Sequence, residues 1–364
     1  MNSQHKIRLS TRLLPLMPVA ILIGATGCGG SGSSGGTNVT TYPGAFVENK
    51  LVSDTAGVAT VTDPNLKNPW GLSYAPNGAF WVSDNTTGLS TLYNGSGAVQ
   101  GLVVTIPAAG GGSNGPVSGQ VYNSTSDFAL PSGQSSAFIF DSEDGLITAW
   151  GGGTAASIVA DRSASGAVYK GLAMGTNGGA NFLYAANFNS GKVDVFDKTY
   201  TLTSSFTDPN IPAGFAPFGI ANFGGLLYVT YAKQDAAKHD DVAGPGNGYV
   251  DVFQTNGTLV TRLVSKGFLN SPWGLAIAPS GFGNVGGALL VGNFGDGKIN
   301  AFNLTTGQSM GILKTKAGAA IVIPGLWGLM YGNGGGAGPT STLYFTSGPN
   351  QEADGLMGSI TVSP

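Results

Sequence analysis

A glycine, a run of alternating residues and an aromatic five positions on recur along this chain. The copies are Gly88–Tyr93, Gly145–Trp150, Gly191–Phe196, Gly248–Phe253 and Gly297–Phe302, and a shortened one from Gly358 ends the sequence. A unit repeated at an interval of roughly fifty residues cannot bury its apolar face alone, so the copies must pack on one another. The clearest unit, Gly248–Pro279, predicts a strand at Tyr249–Phe253, a turn at Thr255-Asn256-Gly257 and a second strand at Leu259–Val264. Alternation and β-branched residues specify the strands, and Asn-Gly suits the left-handed backbone of a tight hairpin. A third, apolar strand at Trp273–Ala278 stops at Pro279.

The apolar strand has its own signature, a glycine near its start: Trp70-Gly71-Leu72, Gly171-Leu172, Phe218-Gly219-Ile220, Trp273-Gly274-Leu275 and Trp327-Gly328-Leu329. The interval from Gly71 to Gly171 is about double the others, which places a missing copy at Ser126–Leu130 with Phe128 in the glycine's position. Middle strands are expected at Phe80–Ser83, Phe138–Phe140, Leu183–Ala186, Leu227–Thr230, Leu289–Gly292 and Leu343–Thr346. Outer strands follow, as at Gln100–Ile106, Leu202–Phe206 and Met310–Lys314. Four strands in each of six units predict an all-β, six-bladed β-propeller with four-stranded antiparallel blades. The last unit ends at Pro364 without an outer strand. Asn49–Ser53 (NKLVS) resembles the outer-strand segment Thr261–Ser265 (TRLVS) and is expected to supply it, closing the ring and removing exposed sheet edges. The segment Ala317–Ile323 fits either a helical turn or an outer strand.

Composition agrees with such a fold. Charged residues are only 10% of the chain, Gly numbers 61, and 41% of residues are hydrophobic, which suits many tight turns around an ample core. The net charge of −3, with no basic face or stripe, excludes nucleic acid as a partner. Lys6, Arg8 and Arg12 precede an apolar run at Leu13–Ala25, too short to span a bilayer comfortably. The run leads into Ala25-Thr26-Gly27-Cys28, which resembles a bacterial lipobox and marks Cys28 for lipidation. Residues 1–27 are therefore expected to be a lipoprotein signal peptide, 28–41 a Gly/Ser-rich tether and 42–364 a single propeller domain. Export follows, to the outer membrane, periplasm or cell surface, with the lipid as the only membrane contact. Cys28 is the only cysteine, so no intrachain disulfide forms.

In a propeller the loops from second to third strand share one face, here called the top, with the loops into the first strands. Asp84, Asp141, Asn187 and Asn293 each stand four residues before a repeat glycine on that face. Such residues most often satisfy local backbone N–H groups, but together they would ring the mouth with oxygens suited to calcium. Units four and six break the pattern. Unit four carries a long loop at 232–247 with Lys233, Asp235, Lys238, His239, Asp240 and Asp241, and unit six carries Glu352 and Asp354 in 348–357. In a chain this poor in charge, that concentration on loops of a rigid scaffold marks a candidate site, against the plainer reading of a solvated loop. His239 and His5 are the only histidines, and His5 lies in the signal segment, so a multi-histidine metal site is excluded. His239 with Asp240 or Asp241 and Lys233 are the candidates for acid–base chemistry, though no G-x-S-x-G elbow accompanies them. Asp235, Lys238, Glu352 and Asp354 are candidate ligand contacts. Trp70, Trp273 and Trp327 head the first strands, where packing is the expected role and an aromatic mouth for a sugar the alternative.

The strings PWGLAIAP and LLVGNFGDGKINAFN, matched by NPWGLSYAP and LYAANFNSGKVDVFD, resemble NHL-type six-bladed propellers. AKQDAAKHDDVAGPGNGYVDVF and GPNQEADGLMGSI are similar to strings in a family of secreted bacterial proteins of unknown function. The resemblance runs from about Tyr42 to Pro364 and implies a fold without an activity. Propellers of this kind include calcium-dependent lactonases, strictosidine-synthase-like enzymes and a streptogramin lyase, whose channel residues have no residue-by-residue match here. The reading that results is a membrane-tethered scaffold binding a small molecule, glycan or protein at its top face. The alternative is a hydrolase or lyase, lactonase-like with calcium as its candidate cofactor in the manner of those relatives, working near His239.

Overall fold

The computed structural model describes residues 44–364. The signal segment, Cys28 and the whole of the tether lie outside them. Six antiparallel sheets form a ring. The first blade runs outward through Pro69–Ser73, Phe80–Asp84, Leu89–Tyr93 and Val99–Thr105. The inner strands of the next four are Val117–Tyr122, Tyr169–Asn177, Phe215–Phe223 and Pro272–Ile277. The sixth blade consists of Leu326–Tyr331, Leu343–Ser347 and Leu356–Val362, and Phe46–Ser53 completes it by pairing antiparallel with the last, Phe46 opposite Val362. The expected closure by the N-terminal segment is therefore present, and a two-residue strand at Val61–Thr62 adds a parallel edge. Helical backbone among the described residues is confined to short 3-10 turns at Ser163–Ser165 and Gly283–Val285. Ala317–Ile323 forms neither a helix nor a strand; two isolated bridges, Lys314 with Ala320 and Lys298 with Val322, hold it.

One expected element is displaced. The inner strand of blade two is Val117–Tyr122, with Ser118-Gly119-Gln120 as its signature, and Ser126–Leu130 is a loop. Phe128 is fully buried with φ of 62°, so it anchors that loop in the core with backbone a strand cannot adopt. Its apolar pattern arises from burial without strand geometry.

Every inner strand carries a bulge. Pairing with the second strand slips by one residue between Pro69 and Leu72, and likewise at Val117/Gln120, Tyr169/Leu172, Pro217/Ile220, Pro272/Leu275 and Leu326/Leu329. The signature glycine sits inside each slip, and the reason is contact between blades. A Cβ on Gly219 would lie 2.1 Å from the Trp273 carbonyl oxygen, and one on Gly274 would lie 2.3 Å from that of Trp327. One on Gly328 would meet the Trp70 carbonyl at 2.6 Å, and one on Gly119 the Leu172 nitrogen at 2.3 Å. Six glycines thus let six inner strands touch backbone to backbone around the axis.

The bulge frees the glycine N–H, and a side chain from the second strand takes it up. Thr230 Oγ1 accepts from Gly219 N at 2.8 Å, Thr346 Oγ1 from Gly328 N at 2.8 Å, and Asp141 Oδ1 from Gly119 N at 2.6 Å. Burial raises the Asp141 pKa to about 7, despite the bonds from Ser118 and Gly119 that favour its charged form. The folded chain therefore holds this proton to a higher pH than the unfolded chain, and stability falls as pH rises from the model-peptide value of 3.8 through about 7. Thermal melts of the wild type should show a Tm that declines between about pH 4 and 7. Asp141→Asn, which keeps the acceptor and removes the charge, should make that decline shallower; an unchanged slope would remove Asp141 from the account.

Candidate functional site

The same bulge brings the residue before each glycine over the axis on the top face: Trp70, Ser118, Lys170, Phe218, Trp273 and Trp327, all buried. Trp70 and Trp327 stack at 3.6 Å between ring centroids, and Trp273 meets both edge-on at 6.0 and 5.8 Å. Phe294 stacks on the other side of Trp327 at 4.1 Å. These rings plug the channel. Trp70, Trp273 and Trp327, read as packing residues with an aromatic mouth as the alternative, are at most 9% exposed, so their bulk packs the plug, as large aromatics at a core position do.

Lys170 interrupts the aromatic set. It is 2% exposed, and its ammonium lies 5.2 Å from the Trp70 ring centroid, a cation–π contact. Glu143, from the second-to-third-strand turn of blade two, pairs with it directly, and Asp240 Oδ1 lies 3.2 Å away. Burial disfavours the ammonium, but Glu143 and Asp240 outweigh it and raise the pKa above the usual lysine value. A charged lysine therefore sits under the mouth with both counter-ions supplied by other blades.

The network extends around the face. Asn85 Nδ2 donates to Glu143 Oε2 at 2.7 Å, and Asn68 Nδ2 donates to Asn85 Oδ1 at 3.3 Å and to Glu352 Oε2 at 2.7 Å. Asn68 Oδ1 in turn accepts from Trp327 Nε1 at 2.9 Å, tying the polar layer to the plug. Burial raises the Glu352 pKa, partly offset by the Asn68 bond. Glu352 is delivered by a strained tip: Asn350, Gln351 and Glu352 have φ of 56°, 56° and 67°.

The 232–247 loop folds across this layer. Gln234 Nε2 donates to the Phe188 carbonyl at 2.6 Å, and Asp235 Oδ1 accepts from the backbone N–H groups of His239 (2.9 Å) and Asp240 (3.3 Å). His239 Nδ1 lies 2.9 Å from Asp240 Oδ1. Burial works against the Asp240 carboxylate, yet Lys170 and His239 hold its pKa below the usual range, while burial lifts that of Asp241. Lys233 and Lys238 are exposed, and Asp354 contributes its backbone carbonyl to Asn68 N at 3.2 Å. His239 makes no hydrogen bond with Glu352 or Asp354.

Asp84, Asp141, Asn187 and Asn293 do not act as one set. Their register differs: Asp84, Asn187 and Asn293 face the first strand's start, where blade two places Ser142, so Asp141 stands one residue earlier and points to the other face of its sheet. Asp84 accepts from Thr91 Oγ1 at 2.7 Å, Asn187 donates to Asp194 at 2.9 Å, and Asn293 donates to the Phe268 carbonyl at 2.8 Å. A different group offers metal-type ligands within 4.8 Å of one another: Glu143, His239 and Asp240. There the Lys170 ammonium already pairs with both carboxylates. Sequence reading missed Lys170, Glu143, Asn68 and Asn85. The signal for Lys170 was available, since Lys170-Gly171-Leu172 is in register with Trp70-Gly71-Leu72.

No protein-family profile matches the sequence. Among solved structures, the soluble aldose sugar dehydrogenase of Escherichia coli is similar, with a TM-score of 0.53 and 12% identity over 88% of this chain and 100% of that one. A catalytically inactive virginiamycin B lyase of Staphylococcus aureus with quinupristin gives a TM-score of 0.51 and 13% identity over 87% and 99%. At these identities the likeness is one of fold. Closer in sequence are two proteins of Acanthamoeba polyphaga mimivirus. Uncharacterized protein R648 is 33% identical over 86% of this chain and 79% of its own length, and uncharacterized protein L690 is 32% identical over 86% and 84%. The chain belongs to one family with these uncharacterized mimivirus proteins.

Proposed function

We propose that this chain is an exported, lipid-anchored propeller of the NHL type that binds a protein or glycan partner on its top face and carries out no chemistry there. One observation carries the reading: the ionisable groups over the axis are committed to one another. Lys170 is held by Glu143 and Asp240, and Glu143 and Glu352 are held by Asn85 and Asn68, above a channel filled by tryptophans. A nucleophile or base needs a free lone pair beside an open cavity, and this layer offers a fixed surface instead. At its edge Phe268 is 63% exposed, the most exposed large hydrophobic side chain among the described residues. Its backbone is pinned by Asn293, and exposed Lys233, Lys238 and Val242 lie on the neighbouring loop. A rigid aromatic with a polar rim is the usual anatomy of a binding hot spot.

A second reading rests on the His239–Asp240 pair at 2.9 Å, which suits an acid–base residue of a hydrolase or lyase. A lyase propeller is among the similar folds. Thermal-shift screening of the purified chain against divalent cations, sugars, lactones and peptides separates the two. The binding reading expects a ligand that raises Tm by mass action without turnover, with the shift lost in Phe268→Ser. His239→Ala, an exposed change, should itself alter stability by no more than about 0.5 kcal/mol. Turnover of a lactone or ester that disappears in His239→Ala would overturn the binding reading. A calcium-dependent rise in Tm, retained in that variant, would favour a cation site built without His239.

A further inference from the structure

Charge is unevenly distributed along this acidic chain. Lys and Arg total 16 against 19 Asp and Glu, yet residues 253–351 hold Arg262, Lys266, Lys298, Lys314 and Lys316 against the single acid Asp296. Two of these cations are paired: Arg262 with Asp208 and Asp251, and Lys298, whose Nζ lies 3.1 Å from Asp296 Oδ2. Lys266, Lys314 and Lys316 are exposed and form no ion pair among the described residues.

This basic sector contains a groove of about 500 Å³ that runs along the outer strands of blade five to the rim at Phe268. The volume is within the range of small-molecule sites, about 300–1,000 Å³. The last two strands of the blade, Ile299–Phe302 and Ser309–Ile312, set Asn300 opposite Ile312. Side chains alternate along a strand, so Lys298, Asn300, Ile312 and Lys314 share one face, and all four line the groove. A cleft lined mainly by one sign of charge focuses its field on a ligand of the other. Asn270 adds a second pointer. It lines the groove at 7% exposure, and its Oδ1 accepts from Gly244 N at 2.7 Å, which fixes the amide and leaves Nδ2 without a partner among the described residues. That nitrogen is not one of the sealed polar atoms of the core, so it is free to donate into the groove.

We propose that this groove binds the carboxylate-bearing sugar of an acidic glycan. The carboxylate meets Lys298 and Lys314, a ring hydroxyl accepts from Asn270 Nδ2, and the C–H face of the sugar lies on Phe268. This deepens the binding reading of the top face and rests on it, because Phe268 belongs to both. A bare phosphate would leave the aromatic unused. An acidic peptide carries its carboxylates on flexible side chains, whereas a sugar acid fixes the carboxylate to a ring that rests on Phe268 at the same time.

Saturation-transfer NMR titration of the purified chain with digalacturonate and its neutral dimethyl ester tests this. The acid should bind about ten-fold more tightly, as one charge-assisted hydrogen bond allows, and raising the salt should shrink that advantage. Lys298→Gln/Lys314→Gln should bring the two affinities together, and Phe268→Ser should weaken both. Lys192→Gln/Lys198→Gln, at exposed positions of blade three, should change neither. The proposal is overturned if the acid does not bind the wild type, if acid and ester bind it equally, if Phe268→Ser binds as the wild type does, or if tetraglutamate binds as tightly as digalacturonate. Should the double lysine variant fail to melt cooperatively, the acid-to-ester ratio of the wild type still decides. Turnover lost in His239→Ala would remove the underlying reading of the top face, whereas equal binding of acid and ester without turnover removes this inference alone.

Discussion

Replacing Glu143 by leucine is expected to destabilise the propeller by about 3–5 kcal/mol, the cost of removing one partner from a buried ion pair. Lys170 would keep its charge at 2% exposure, with only Asp240, whose side chain is 66% exposed, left to balance it. Asn85 Nδ2 would lose its acceptor as well. Chemical denaturation measures the loss directly, and the double variant Glu143→Leu/Lys170→Met should recover most of it, because an apolar replacement of the whole pair removes the stranded charge. A loss below about 1 kcal/mol would mean that the pair behaves as a surface salt bridge. The pH dependence has a definite sign. The folded pKa of Lys170 is raised above 10.5, so its contribution is complete below that pH and is lost as pH rises through the folded value.

Gly219→Ala is the second large effect. The added methyl would sit 2.1 Å from the Trp273 carbonyl oxygen and 3.0 Å from Thr230 Oγ1, the atom that accepts the Gly219 N–H. The first contact is backbone of the next blade, and a closed ring cannot open at one seam without shifting the rest. Overpacking of a well-packed core costs about 1–3 kcal/mol, and a backbone clash in a closed ring belongs at or above the top of that range. Gly101→Ala is the matched control. No heavy atom stands within 4 Å of its added carbon and its φ is not positive, so it should be neutral or slightly stabilising. Equal melting temperatures for the two variants would show that the inner glycines are not there for blade contact.

The sequence revealed the ring more fully than the site. Alternation and Asn-Gly turns are local, so strands such as Leu202–Phe206 appear where they were expected, and Phe46–Ser53 closes the sixth blade. The inner strand of blade two escaped notice because Ser118 and Gln120 replace the tryptophan and the leucine that flank the glycine in blades one, five and six. Phe128 offered a false apolar signal a few residues on. The charged loop was visible as a departure from the repeat. Its partner was not, because Lys170 and Glu143 are remote from 232–247 in sequence and meet Asp240 only through ring geometry. Burial also decided the role of Trp70, Trp273 and Trp327: composition cannot distinguish an aromatic mouth from an aromatic plug, and stacking at 3.6 Å does.

The central claim is that the top face is a fixed surface locked by Lys170, and amide hydrogen exchange over 232–247 tests it most directly. The N–H groups of Asp235, Lys238 and Val242 donate to the carbonyls of Asp240 (2.8 Å), Asp235 (3.2 Å) and Lys233 (2.7 Å). They should be protected in the wild type and lose that protection in Lys170→Met, while Tyr249–Phe253 in the same blade stay protected in both. Unprotected exchange of the loop in the wild type, unchanged in the variant, would contradict the claim: the loop would be a solvated excursion and Lys170 a core charge with no hold on it.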